Sequence, residues 1–164
     1  VLRRVNELLL SGDSLNDFAT AMLAHLHQDE AGWHLSLASA GHPPAALTGE
    51  QGARLLGGGT VLGAWGEANV ERHDLEMGMA DTLALCTDGW LEAGPSPSHQ
   101  GPEAFAEMTQ ALSGLELDEV TARLRADAVG RSAGKLRDDL VLLAVRPRLA
   151  PDVAEESRKL AAGA

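Results

Sequence analysis

The chain has 164 residues, 45% of them hydrophobic, and a formal net charge of −11. That is enough apolar material for one domain with a real core. The acidity argues against a nucleic-acid or anionic-membrane surface, since both need clustered Lys and Arg. The single cysteine, Cys86, cannot close an internal disulfide. No apolar stretch approaches the ~18 residues of a membrane span and no signal peptide is recognisable. A cytoplasmic location without membrane insertion is therefore expected. A start at Val1 rather than Met reads as a piece of something longer.

Leu2, Val5, Leu8 and Leu9 recur with helical spacing, which predicts a helix over 1–10, stopped at Ser11-Gly12-Asp13-Ser14. The segment Phe18–His27 fits either a helix, by its alanines, or a strand, by its alternation. Trp33, Leu35 and Leu37 alternate on one face of a strand over 33–40, so the two segments read as a hairpin. Gly41-His42-Pro43-Pro44 breaks any strand. Short strands are expected over 45–48 and 53–56, around a Gly49–Gly52 turn, then a flexible connector over 57–63. A charged strand over 70–77 belongs near a sheet edge, and 82–86 is a short buried strand. After a Pro/Ser/Gly loop over 94–102, Phe105, Met108 and Leu112 line one helix, and Leu117, Val120 and Leu124 the next. Residues 130–134 read as a loop and 140–145 as an apolar strand. The expected organisation is one domain over 1–148 and a polar tail over 149–164, with no repeats.

Asp88 follows one buried strand; Asp138 and Asp139 precede another, fifty positions on. Two helices lie between. A single helix would return a parallel strand. Two helices, out and back, should make the second strand antiparallel and bring Asp88 and Asp138 to one sheet edge. Carboxylates held together repel unless one is protonated or a cation intervenes. Hard divalent ions, Mn²⁺ or Mg²⁺, prefer oxygen ligands and keep several waters, so two or three protein carboxylates suffice. Gly89 would allow a close backbone approach. On these residues alone an ordinary Asp-Gly turn and a solvated strand start remain open.

The stretches "FATAML", "LASAGHPPAAL", "VLG", "ADTLALCTDGWLEA" and "RDDLVLLAVR" stand in an order and at intervals that resemble the metal-dependent protein phosphatase superfamily, the type 2C or PPM phosphatases. Within it the chain is most similar to the bacterial stage-II-sporulation-protein-E type. The likeness runs from residue 1 to about 146. It implies an α+β fold, a layered α-β-β-α sandwich of two mainly antiparallel sheets, and it decides for a strand over 18–27. It implies hydrolysis of phosphoserine or phosphothreonine by a two-metal-activated water, without a covalent phosphoenzyme, with Mn²⁺ or Mg²⁺ as cofactor. Asp88 matches the metal-binding aspartate of the family's Thr-Asp-Gly, and Asp138 that of its final acidic pair. Both would be the catalytic metal ligands, Gly89 belonging to the same metal site. Asp139 would support rather than ligate. The implied partners are a phosphoprotein substrate, usually an anti-sigma-factor antagonist, and an upstream sensor domain.

The family's first metal motif, Asp-x-x-Gly-His-Gly or its Gly-Lys-Gly variant, belongs upstream of helix 1–10, and Gly12-Asp13-Ser14 is no substitute for it. The chain thus reads as the C-terminal two-thirds of a phosphatase domain, poorly metal-binding and inactive alone. The competing reading is a non-catalytic PPM-like regulatory or binding module. Trp90 stands where a small or β-branched residue is commoner, and Cys86 where an aromatic is usual. Other patterns carry less. Gly130-Arg131-Ser132-Ala133-Gly134 fits a hydrolase nucleophile elbow in letters but not in its helix-then-strand context. His25 and His27 share a strand face as a possible metal pair, with no third ligand at a recognisable spacing, so surface histidines are expected. His42 is expected to stabilise its turn by a hydrogen bond.

Overall fold

The computed structural model describes residues 1–12, 18–94 and 101–148. Strands β1 (Ala21–Gln28), β2 (Trp33–Ala40) and β5 (Glu71–Met77) form one antiparallel sheet in the order β1-β2-β5. Strands β3 (Ala45–Gly49), β4 (Gly52–Leu56), β6 (Thr82–Cys86) and β7 (Leu142–Val145) form a second, in the order β4-β3-β6-β7. The helices are α1 (Leu2–Leu10), α2 (Asp88–Leu91), α3 (Pro102–Ala111) and α4 (Leu117–Arg131).

Strand alternation sorts the side chains into layers. Leu35 and Leu37 of β2 and Met77 of β5 pack against Leu47, Leu56 and Leu83 of the second sheet, and this is the inter-sheet core. Ala46, Ala84 and Cys86 point the other way, onto Phe105 of α3 and onto Val120, Leu124 and Ala128 of α4. On the far side, Leu2, Val5 and Leu9 of α1 cover Ala21, Ala38 and Ala40 of the first sheet. The result is the expected α-β-β-α sandwich.

Several local expectations shift. The first strand begins at Ala21, not Phe18: Ala19 makes an isolated bridge to Leu62, and Phe18 is exposed. The 57–63 segment is no loose connector. Leu62 is fully buried, and Asn6 of α1 holds the chain there, accepting from Gly63 N at 2.8 Å and donating to Trp65 O at 3.2 Å. Helix α4 continues to Arg131, so the 130–134 loop starts later than its glycines signal. The last strand begins at Leu142 and lies at a sheet edge with Leu143 exposed, which an apolar run alone does not reveal. The charged β5 lies at an edge, as read. Most of the 94–102 loop, and the 149–164 tail, lie outside the described residues.

Candidate functional site

The site is built where β6 ends. Strand β7 pairs antiparallel with β6, Cys86 opposite Leu142, so the exit of β6 and the entry of β7 share one end of the sheet. The out-and-back path through α3 and α4 requires this. Thr87 ties the two segments. Its amide donates to Val141 O at 3.1 Å, its hydroxyl donates to Asp139 O at 2.6 Å, and the same oxygen accepts from Val141 N at 3.0 Å. Thr87 carries the signal that sequence reasoning missed: a hydroxyl just before the Asp-Gly pair, positioned to lock the second acidic segment.

Asp88 is not in a simple turn. It opens α2, a four-residue helix, and its carboxylate is exposed. Gly89 lies against the other acidic segment: a Cβ there would sit 2.5 Å from Asp139 O and 3.2 Å from Asp138 O. Only a residue without a side chain lets α2 approach so closely. Gly89→Ala must push the Asp138–Asp139 backbone away, and overpacking of this kind costs about 1–3 kcal/mol. Urea denaturation of the variant should show that loss, and an unchanged midpoint would contradict it. The Asp138 carboxylate bends back to accept from Asp139 N at 2.7 Å and is otherwise exposed.

The inner side of α2 fixes its position. The Trp90 ring is fully buried, stacks edge-on against Phe105 at 5.0 Å and donates from Nε1 to Leu124 O at 2.9 Å. Arg131, at the end of α4, lies 4.5 Å from the centre of that ring. Its guanidinium donates to Trp90 O at 3.1 Å and to Ala93 O, and its Nε donates to Asp127 Oδ2 at 2.7 Å. The unusual Trp90 and the arginine of the Gly-x-Ser-x-Gly stretch are thus one clamp on the helix that carries Asp88.

Across the rim, Thr20, Gly41, His42, Pro43 and Pro44 line a cleft with Thr87 and Asp88. Gly41 has φ +66, and a Cβ there would meet Val61 N at 2.7 Å, which accounts for the glycine of "AGHPP". His42 Nδ1 is hydrogen-bonded to Thr20 Oγ1 at 3.1 Å, so its partner lies on the approach to β1 rather than inside its own turn. Burial lowers the His42 pKa, and the charge of Asp88 opposes that shift. Cys86, just beneath, has its thiol pKa pushed up to about 12, first by burial and then by Asp88, so it stays a neutral core residue at pH 7. A second cleft lies at the opposite end, lined by Trp33, Gly49, Glu50, Met77 and Asp81, away from both acidic segments.

The donor set fits a hard divalent cation. Two carboxylates exposed to water, Asp88 and Asp138, brought to one rim by the close approach at Gly89, are the kind of oxygen ligand Mn²⁺ and Mg²⁺ accept. Among the described residues, the one group that brings three potential ligand atoms within 4.8 Å of one another lies elsewhere, at His27, Asp29 and His34.

The architecture is that of the PP2C phosphatase domains. The chain belongs to the Stage II sporulation protein E (SpoIIE) family, which matches its residues 1–148. Among solved structures it is similar to the PP2C phosphatase domain, with a fragment of the regulatory domain, of the cell fate determinant SpoIIE from Bacillus subtilis. That match has a TM-score of 0.70 and 18% identity, over 89% of this chain and 43% of that one. The manganese-presoaked phosphatase domain of the same protein gives 0.63 and 15%, over 92% and 66%. The SiaA-PP2C domain of Pseudomonas aeruginosa gives 0.56 and 21%, over 71% and 51%. The chain therefore spans less than two thirds of the length of these three structures. No curated protein matches it. Among the described residues no helix is long and apolar enough to cross a membrane.

Proposed function

We propose that the chain is the C-terminal two-thirds of the catalytic domain of a metal-dependent serine/threonine phosphoprotein phosphatase, in which Asp88 and Asp138 are the ligands of Mn²⁺ or Mg²⁺. One observation carries this reading: Gly89 and Thr87 pack the start of α2 directly onto the Asp138–Asp139 backbone, so that two acidic segments fifty positions apart meet at one rim. Mutual repulsion of exposed acids gives no reason for such packing, and a shared cation does. When bound, such ions supply an activated water and stabilise the charge of phosphoryl transfer. The chain's own residues do the rest. Asp88 and Asp138 bind, Gly89 permits the approach, Thr87 orients the Asp139 backbone, and the Trp90–Arg131 clamp holds α2. Asp139 acts through its main chain, as a positioning residue. The cleft beside Asp88, walled by His42 and Pro43, is where a phosphoryl group on a protein would enter.

Membership of the SpoIIE family and the likeness to bacterial regulatory phosphatase domains support a phosphoserine or phosphothreonine substrate on an anti-sigma-factor antagonist, an upstream sensor domain and a cytoplasmic setting. The test is turnover. A polypeptide carrying this chain with the residues that precede it in its gene is assayed on a phosphoserine protein, with Mn²⁺ and then with a chelator. Mn²⁺-dependent phosphate release is expected. If that polypeptide folds, takes up Mn²⁺ and releases no phosphate, the non-catalytic alternative, a PPM-like regulatory or binding module, is the correct one.

A further inference from the structure

His25 and His27 share one face of β1, and the structure supplies the companions that spacing alone does not show. The register of β1 on β2 sets His27 directly opposite His34, and β2 on β5 sets His34 opposite Glu76. On the outer face of the three-stranded sheet the rings of His25, His27 and His34 stack in series, with centroids 5.3 Å and 5.0 Å apart. Asp29, in the turn that joins the strands, closes the group. Its Oδ1 accepts from His34 Nε2 at 3.0 Å and is aimed by the amides of Ala31 at 2.8 Å and Gly32 at 3.2 Å. One ligand atom each from His27, Asp29 and His34 lie within 4.8 Å of one another.

We propose that His27, His34 and Asp29 form a surface site for a borderline divalent transition cation, with Zn²⁺ the best match. Two imidazoles and one carboxylate are a zinc ligand set, leaving a fourth position for water or for the neighbouring His25. Tetrahedral zinc with bonds near 2.1 Å spaces its ligand atoms about 3.4 Å apart. The Asp29–His34 pair is already at that scale, and His27, on an exposed stretch of β1, has a ligand atom within 4.8 Å of both. For His34 to ligate through Nε2, the ring takes the tautomer that carries its proton on Nδ1, and the ion replaces the hydrogen bond to Asp29. The site is chemically separate from the rim. Imidazole nitrogen suits zinc, nickel or copper, whereas carboxylates such as Asp88 and Asp138 suit manganese or magnesium. It belongs to the other sheet and does not depend on the phosphatase reading. Its effect would be to fasten the Asp29–Gly32 turn to both strands of the hairpin.

The experiment is calorimetric titration of ZnSO₄ into the untagged chain, with imidazole ¹⁵N shifts followed in parallel. One saturable zinc site is expected, with shifts confined to His27, His34 and their neighbour His25. His27→Ala and His34→Ala should each weaken binding at least tenfold. Asp88→Asn and Asp138→Asn should leave it within threefold of the unaltered chain. Circular dichroism checks each variant. If His34→Ala does not fold, the exposed His27→Ala and the shifts of the unaltered chain decide. Absence of saturable zinc binding overturns the proposal, as does a folded His27→Ala variant that loses less than tenfold in affinity, or zinc shifts at other histidines.

Discussion

Asp88→Asn, in a polypeptide that turns over phosphoprotein with Mn²⁺, should lower the rate by about a hundredfold or more. The amide keeps the size of the side chain but removes an anionic oxygen, and hard divalent ions bind through charge as much as through shape. A bound metal contributes several kcal/mol of transition-state charge stabilisation, and each 1.36 kcal/mol is a factor of ten in rate. Asp138→Asn should behave in the same way. Asp139→Asn should do less, because Asp139 meets Thr87 through its carbonyl and leaves its carboxylate in solvent. The three variants, assayed for initial rate at saturating Mn²⁺, separate ligand from neighbour. Both Asp88→Asn and Asp138→Asn should fold, since each removes a charge from an acidic rim. Turnover within a few-fold of the unaltered protein in Asp88→Asn would remove that residue from the site.

Trp90→Ala should be the most destabilising single change in the helical layer. The ring is fully buried. Truncating a buried aromatic of this size costs about 3–5 kcal/mol. The Nε1 hydrogen bond to Leu124 O, the edge contact with Phe105 and the Arg131 guanidinium over the ring are lost together. Against a typical stability of about 5–15 kcal/mol, the variant should melt well below the unaltered chain, or fail to fold. Trp90→Phe keeps the edge contact and loses the donor, so it should fall between. Equilibrium urea unfolding measures both. A Trp90→Ala midpoint equal to that of the unaltered chain would mean that the ring is not holding α2.

Much of this was legible in the sequence, for reasons that differ from element to element. Alternation at Trp33, Leu35 and Leu37 and helical spacing at Leu2, Val5 and Leu9 are local signals, and β2 and α1 follow them. The antiparallel return of β7 came from counting helices between strands, an argument about paths rather than propensities. What stayed hidden depends on partners distant in the chain. Helix α2 exists where Asp-Gly reads as a turn, because the Trp90 ring finds a cavity between α3 and α4. Arg131 looks like part of a glycine loop, and its carbonyl partners lie some forty positions earlier. Val141 continues an apolar run, yet its backbone bonds to Thr87 and its side chain faces solvent, so the strand starts only at Leu142. The partners of His27 follow from a hairpin register that no spacing rule prints.

The lock between Thr87 and the Asp139–Val141 backbone also sets an order of events. Thr87 and Asp88 are synthesised some fifty residues before β7, and β6 has no neighbour on that flank until β7 has docked. A nascent or C-terminally clipped molecule therefore carries half of its acidic rim without the other half. The rim is completed only by the closing stitch of the sheet, and proteolysis between residues 138 and 145 would part its two halves while sparing most of the molecule's bulk.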